Sequence, residues 1–363
     1  MGRCSRMTKL ERLQARLPEC GDCGIITDEV NRRYFTGMKS SAGTVLVFPE
    51  ESYLIIDFRY IEKARSVVKD CTVILEGRGE EKYAQINELL EKHNAKTIAI
   101  DSMTCTVSEL ANYRSKLNAE IPGDGRFGRI IRQLRMVKTA EETEKMIAAQ
   151  RIAEQGFEFM LTYIKEGLTE REMQLTLDHF MLSHGAEALS FDTIVLSGPN
   201  TSLPHGVPSE RRVQRGEFVL MDFGAVVDGY HSDMTRTVCV SEPSDKMKKV
   251  YDTVLRAQKA GLEKLRAGIS GQELDAVARD IIAAEGWGEC FGHSLGHGVG
   301  MEIHEMPYAS PSSKELLPEN SVITVEPGIY LEGEFGVRIE DFAIVKAEGC
   351  ENMTLARKEL ICL

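Results

Sequence analysis

The chain has 363 residues, and at roughly 100 to 200 residues per domain this length predicts two domains. Hydrophobic residues make up 42% and charged residues 28%, a globular composition that excludes fibrous and disordered classes. The formal net charge of -12 would repel phosphate backbones and anionic lipid headgroups, so we expect neither nucleic acid nor membranes as partners.

The beginning of the chain mixes charged and apolar side chains and contains no apolar stretch of signal-peptide length. No later segment approaches the roughly 18 uninterrupted apolar residues that a membrane-spanning helix needs. The nine cysteines are scattered, and an odd, scattered set favours reduced thiols over a disulfide framework. These features predict a cytoplasmic protein.

The first part of the chain alternates strand-forming and helix-forming segments. Runs rich in β-branched residues predict strands at 44–48, 52–56, 72–75 and 97–100. Helical patterns lie between and after them at 60–68, 82–93 and 107–117. Gly123, Gly125 and Gly128 then interrupt the pattern. We therefore expect a small α/β domain over 1–125 and a second domain over 126–363.

Basic residues recur at every third position from Arg126 to Lys138. Such a row is found in nucleic-acid stripes, but against a net charge of -12 it is better interpreted as a solvated helix face paired with nearby acids. The excess of acidic residues lies in the second domain: residues 1–124 carry 18 Lys and Arg against 19 Asp and Glu, whereas 125–363 carry 26 against 37. The two explanations for this acidic excess are solubility and cation binding.

The second domain contains an internal duplication. Thr169 with Glu172 and Ser270 with Glu273 each form the pattern of a helix-capping box, and each box follows a long helical segment. Because the two units are related by one constant offset, we predict a duplicated α+β domain with pseudo-two-fold symmetry.

Two aspartates are expected to converge on a hairpin. An apolar run ends in Asp222, the turn signal Asp228-Gly229 follows, and Asp233 lies on the return strand. Counted from the turn, Asp222 and Asp233 form a diagonal pair on one face. Two carboxylates that lie so near each other require a cation or a shared proton between them. The alternative is a structural hairpin with one exposed acid.

Histidines and further carboxylates follow in glycine-rich or strand-end positions. His293, His297 and His304 lie within twelve residues, among glycines that indicate close backbone approach. Glu326 ends the apolar run 322–325, and the segment 337–341 is interpreted as a strand that contains a further Arg and Glu. A buried carboxylate must be paired or bound to a metal. Structural histidines and salt-bridged edge acids remain the alternatives.

Taken in order, five of these residues resemble the ligand set of the dinuclear metallopeptidases with the pita-bread fold. The set comprises Asp222 in MDFG, Asp233 in SDMTRT, His297 in GHGVG, Glu326 in VEPG and Glu340 in VRIED. That family includes methionine aminopeptidase, aminopeptidase P and prolidase. The segments 31–37 and 57–60, NRRYFTG and DFRY, resemble the N-terminal domain of the Xaa-Pro branch.

The resemblance implies the α+β pita-bread fold, with duplicated halves, preceded by a smaller α/β domain of the creatinase/prolidase type. The separate N-terminal domain, His293 four residues before His297, and the VRIED form point to aminopeptidase P and prolidase within the family. The resemblance also implies two divalent metal ions. Asp222 would hold one, His297 and Glu326 would hold the other, and Asp233 and Glu340 would bridge them. Oxygen-rich ligation with one imidazole suits Mn²⁺, with Co²⁺ or Zn²⁺ as alternatives.

The resemblance further implies roles in catalysis. Glu326 would accept and transfer a proton, and His205 and His304 would stabilise the tetrahedral intermediate. His293 would orient the substrate near the prolyl ring. Arg338 would either hold a substrate carboxylate or support Glu340, and we favour the support.

We therefore predict a cytoplasmic Xaa-Pro aminopeptidase, a homodimer that acts on peptides with proline in second position. The closest alternative is an Xaa-Pro dipeptidase (prolidase). An alternative of another class is a non-catalytic peptide-binding protein on the same fold, against which the complete ligand set argues.

Overall fold

The computed structural model describes residues 7–363, and the chain divides into two compact units between Arg135 and Met136. Cys4, one of the expected thiols, lies outside these residues; within them, the eight remaining cysteines form no disulfide. Within the described part of the chain, no helix has the length and apolarity needed to cross a membrane.

The first unit is a five-stranded sheet covered by helices, as the sequence predicts. Its helices are α1 Lys9–Arg16, α2 Glu29–Thr36, α3 Ile61–Val67, α4 Glu81–Lys92, α5 Val107–Lys116 and α6 Arg126–Met136. Its strands are β1 Cys23–Ile26, β2 Thr44–Val47, β3 Ser52–Ile56, β4 Thr72–Leu75 and β5 Ile98–Ile100. They are ordered β4-β3-β2-β1-β5. The four predicted strands and three predicted helices are confirmed, and β1 is an additional strand.

The end of the first unit lies ten residues after the expected position at 125. The glycines mark the start of α6, and α6 packs its apolar face into this unit. The ring of Phe127 lies where a side chain on Gly24 would be, 2.4 Å from an ideal Cβ. The interpretation of the basic row as a solvated face is wrong at its end, because Arg135 and Lys138 are buried.

The second unit contains two pairs of long helices and four sheets. Its helices are α7 Ala140–Tyr163, α8 Glu170–Ser183, α9 Asp245–Lys264 and α10 Gly271–Ala284. Its strands are β6 Ala188–Leu189, β7 Ile194–Ser197, β8 Glu217–Phe223, β9 Ala225–Val227, β10 Tyr230–His231, β11 Met234–Val240, β12 Gly296–Gly298, β13 Glu305–Ala309, β14 Val322–Val325, β15 Gly328–Leu331, β16 Phe335–Arg338, β17 Asp341–Lys346 and β18 Gly349–Asn352. The sheets are β10-β9-β6, β11-β8-β7, β13-β12-β14-β17-β18 and the hairpin β15-β16.

The predicted duplication is confirmed in the helix pairs. Thr169 caps α8 and Ser270 caps α10, each in a complete capping box. Apolar side chains of α7 and α8 pack on β7, β8 and β11, and those of α9 and α10 pack on β14 to β17. Each helix pair thus covers one group of strands, which leaves the strand ends free to present polar side chains.

Candidate metal centre

The two aspartates lie at the adjoining ends of β8 and β11. In this antiparallel pair Asp222 faces Thr235, so Asp233 is offset by two residues, as predicted from the sequence. The intervening hairpin turns at Asp228 and Gly229, whose φ angles of 49° and 82° are those of a tight two-residue turn. The turn therefore sets the register that brings both carboxylates to one end of the sheet.

His297 lies on β12, which is held unusually close to its neighbours. An ideal Cβ on Gly296 would lie 2.0 Å from the Thr324 carbonyl oxygen, and one on Gly298 would lie 2.3 Å from that of Met306. A larger residue at either position would push the strands apart. The His297 amide donates to Thr324 Oγ1 at 3.0 Å, which fixes the histidine against β14.

Glu326 directly follows β14, as predicted, and its amide donates to the Leu295 carbonyl at 2.9 Å. Glu340 lies between β16 and β17 and not inside one strand, which corrects the interpretation of 337–341. The chain passes there from the β15-β16 hairpin to the large sheet. The Glu340 amide donates to the Thr235 carbonyl at 3.1 Å, and its Oε2 accepts from Thr235 Oγ1 at 2.8 Å.

All five residues line one cavity of about 810 Å³. Asp233, His297 and Glu340 each offer one ligand atom, and these three atoms lie within 4.8 Å of one another. His297 Nε2 is 3.6 Å from Asp233 Oδ2 and 3.3 Å from Glu326 Oε1. The charge of Asp222 helps to raise the pKa of Asp233, so these two carboxylates interact within the cavity.

Crowding of buried carboxyl groups dominates the electrostatics of this cavity. Burial raises the pKa values of Asp233 and Glu340 well above their usual range; the charge of Asp222 adds to the effect on Asp233, and that of Asp233 adds to the effect on Glu340. Burial alone would raise the pKa of Glu326, but the hydrogen bond and charge of His297 lower it to about 2. Burial lowers the pKa of His297, but the hydrogen bond and charge of Glu326 outweigh this effect and raise it to about 9. The cluster therefore attracts positive charge.

Two carboxylate oxygens test whether the residues fit a metal ion. Asp222 Oδ1 and Glu340 Oε1 are buried and have no hydrogen-bond partner among residues 7–363. The second oxygen of each carboxylate does accept a hydrogen bond, and the donor to Asp222 is Arg338 Nη2 at 2.5 Å. A buried carboxylate oxygen without a partner is costly, and a cation removes this cost. Four carboxylates and one imidazole also form a donor set that suits hard and borderline divalent ions. The residues therefore fit a divalent metal centre.

The other predicted site residues line the same cavity: His205, His293, His304 and Arg338. The ring of His304 lies edge-on to that of His297, with 4.3 Å between centroids. Burial lowers the pKa values of His293 and His304, which favours neutral imidazoles. His293 Nε2 lies 2.9 Å from Tyr330 Oη.

Arg338 contacts a different carboxylate from the one expected. Its side chain is 3% exposed and pairs with Asp222, not with Glu340. Its Nη1 donates to Tyr330 Oη at 2.8 Å and its Nε to Thr235 Oγ1 at 3.1 Å. Arg338 therefore supports Asp222 directly and reaches Glu340 only through Thr235.

Three neighbouring side chains were missed in the sequence. Thr235 binds Glu340, Thr324 binds the His297 amide and Glu326, and Tyr330 joins His293 to Arg338. Both threonines lie two residues from a predicted ligand on the same strand face, so the period of two could have identified them. No sequence signal marked Tyr330.

Comparisons with known proteins agree with this architecture. The model of metallopeptidase family M24 matches residues 144–347, and that of the creatinase/prolidase N-terminal domain matches 9–137. The Xaa-Pro dipeptidase of Pyrococcus furiosus is 37% identical, over 97% of this chain and 99% of its own. The structure of an Xaa-Pro dipeptidase from Bacillus anthracis is 39% identical and aligns with a TM-score of 0.93 over 98% of this chain and 99% of its own. That of an X-Pro aminopeptidase from Thermotoga maritima is 37% identical, with a TM-score of 0.89 over 97% and 100%.

Proposed function

The chain belongs to metallopeptidase family M24, and we propose that it hydrolyses the peptide bond between an N-terminal residue and a following proline, as an Xaa-Pro aminopeptidase. The observation that carries the proposal is the convergence of four carboxylates and His297 on one cavity, which His205, His293, His304 and Arg338 also line. The relatives are named as Xaa-Pro dipeptidases and an X-Pro aminopeptidase, and these names support cleavage of the same bond by this chain.

The proposed centre holds two divalent ions, with Mn²⁺ favoured by the oxygen-rich donor set. Asp222 would hold one ion, His297 and Glu326 the other, and Asp233 and Glu340 would contribute to holding both. The formal charges of four carboxylates and two divalent ions cancel. When bound, such ions supply Lewis-acid polarisation of the scissile carbonyl and acidify a water molecule at neutral pH.

The chain's own residues would bind substrate and move protons. Glu326, beside His297, would take the proton of the attacking water and deliver it to the leaving amine. His304 and His205 would donate N–H groups to the oxyanion that develops on the scissile carbonyl. His293, held by Tyr330, would contact the prolyl ring. Arg338 is engaged with Asp222 and Tyr330, so we assign it the orientation of Asp222 in preference to substrate binding.

A dipeptide-specific activity is the second candidate, and the names of the Pyrococcus furiosus and Bacillus anthracis relatives favour it. Rates on Ala-Pro and Ala-Pro-Ala separate the two, with Mn²⁺ supplied. Comparable kcat/KM on both peptides would support the aminopeptidase, and activity confined to Ala-Pro would support the dipeptidase. Hydrolysis of neither peptide, together with peptide binding that Asp222→Asn leaves unchanged, would support the non-catalytic alternative.

A homodimer and a cytoplasmic location complete the proposal. Sedimentation velocity of the full chain tests the first, because a dimer of this 40.5 kDa chain has twice its mass. Subcellular fractionation tests the second.

A further inference from the structure

A buried ion pair joins Lys138 to Glu305, the residue that directly follows His304 in the chain. Lys138 Nζ is 2.6 Å from Glu305 Oε1, and their side chains are only 1% and 6% exposed. Removing two charges from water costs several kcal/mol per ion, so such a pair is a poor device for stability alone. The burial of the Lys138–Glu305 pair therefore indicates a role other than stability.

Lys138 approaches Glu305 from a fixed point on the backbone. Its amide donates to the Asn320 carbonyl at 2.9 Å, and Val137 forms a bridge with Ser321, just before β14. The ammonium group also contacts the Met136 carbonyl at 3.4 Å. The backbone of Lys138 is thus anchored next to β14, the strand that Glu326 directly follows, and this leaves the ammonium group little freedom to follow a moving partner.

The carboxylate of Glu305 lies inside the loop that precedes it. Its Oε2 accepts from the Glu302 amide at 3.4 Å, and the Gly300 amide donates to the Glu302 carbonyl at 3.1 Å. An ideal Cβ on Gly300 would lie 2.3 Å from Glu305 Oε1, so glycine makes room for the carboxylate. The carboxylate therefore holds the turn of the 300–305 loop, whose last residue before Glu305 is His304.

From this geometry we infer that Lys138 is a positioning residue for His304, a role that rests on the proposed function. By neutralising Glu305, it keeps the carboxylate buried in the loop, and the loop keeps the imidazole of His304 beside His297. Without the ammonium group, the buried carboxylate would lose a charged hydrogen-bond partner, and the hold of Glu305 on the loop would weaken.

The first test compares Lys138→Met, Lys138→Arg and a control, Lys346→Met, which removes an exposed pair whose side chains are 41% and 59% exposed. A displacement of about 1 Å at a reacting group costs up to about 100-fold in rate. We expect Lys138→Met to lower kcat on Ala-Pro at least about tenfold, with KM changed less than about twofold and the bound metal unchanged. Lys138→Arg should recover most of the rate, and the control should equal the wild type.

The double variant Lys138→Met/Glu305→Met separates positioning from stability. Replacing both partners of a buried pair by apolar groups is often neutral for stability. Positioning predicts that the thermal midpoint recovers while kcat stays low, because the loop still lacks its carboxylate. Recovery of kcat together with the midpoint, or a wild-type kcat in Lys138→Met, would overturn the inference.

Hydrogen exchange of peptides that cover 300–305 provides a measurement independent of activity. Lys138→Met should exchange faster in this loop, and the control should not. If the wild type hydrolysed no prolyl peptide, a faster-exchanging loop would still support the positioning, and the proposed function alone would fail. Unchanged exchange in Lys138→Met would overturn the positioning whatever the activity.

Discussion

Gly296 sets the distance between the strand of His297 and the strand that leads to Glu326. In Gly296→Ala the new Cβ would lie 2.0 Å from the Thr324 carbonyl oxygen and 2.8 Å from its Oγ1. Ordinary contact begins at 3.4 Å, so β12 and β14 must separate by about 1.4 Å. The separation between His297 Nε2 and Glu326 Oε1 is 3.3 Å, and a shift of this size would disrupt the pair.

A displacement of about 1 Å at a catalytic group costs about 100-fold, so we expect kcat/KM of Gly296→Ala on Ala-Pro to fall by about that factor. The matched control is Gly292→Ala, four residues earlier, where an ideal Cβ meets nothing within 4 Å. Both variants are assayed with excess Mn²⁺ after circular dichroism shows that they are folded. A Gly296→Ala rate within about threefold of the control would refute the argument that close strand approach sets the site.

Two further variants test the surroundings of Glu340. Thr235→Val removes the hydrogen bond to Glu340 Oε2, and loss of such a support lowers metal affinity about 10- to 100-fold. Titration calorimetry with Mn²⁺ measures this affinity, and an unchanged value would contradict the role of Thr235. Arg236→Met removes one of the two cationic partners of Asp341, 2.7 Å away and at most 1% exposed, and also the donor to the Glu340 and Ala356 carbonyls. It should therefore lower the free energy of unfolding by about 3–5 kcal/mol in urea titrations. Lys246→Met, in a half-exposed pair, should cost less than about 1 kcal/mol, and equal costs would contradict the burial argument.

Local signals predicted much of the structure. The capping boxes at Thr169 and Ser270 fix helix starts because each is satisfied within a single turn. The pairing of Asp222 with Asp233 followed from a two-residue turn and the period of two, since together they determine the register. The close approach of β12 to its neighbours was indicated by the glycines around His297.

Features that depend on distant partners could not be predicted in the same way. A three-residue period places Lys138 on a face but does not reveal that Glu305, 167 residues away, lies opposite it. The break at Glu340 arises because two sheets meet there, which the apolar pattern of 337–341 does not record. The guanidinium group of Arg338 contacts Asp222, 116 residues away, although Glu340 is its neighbour in sequence.

On the proposed function, the five residues hold the divalent ions that the hydrolysis of Xaa-Pro bonds requires. The most direct measurement is kcat/KM on Ala-Pro before chelation, after chelation and after return of Mn²⁺, with metal content determined in each sample. We predict that activity disappears with the metal and returns as binding approaches two ions per chain. Full activity in protein stripped of metal, or no activity in protein that holds two ions, would contradict the account.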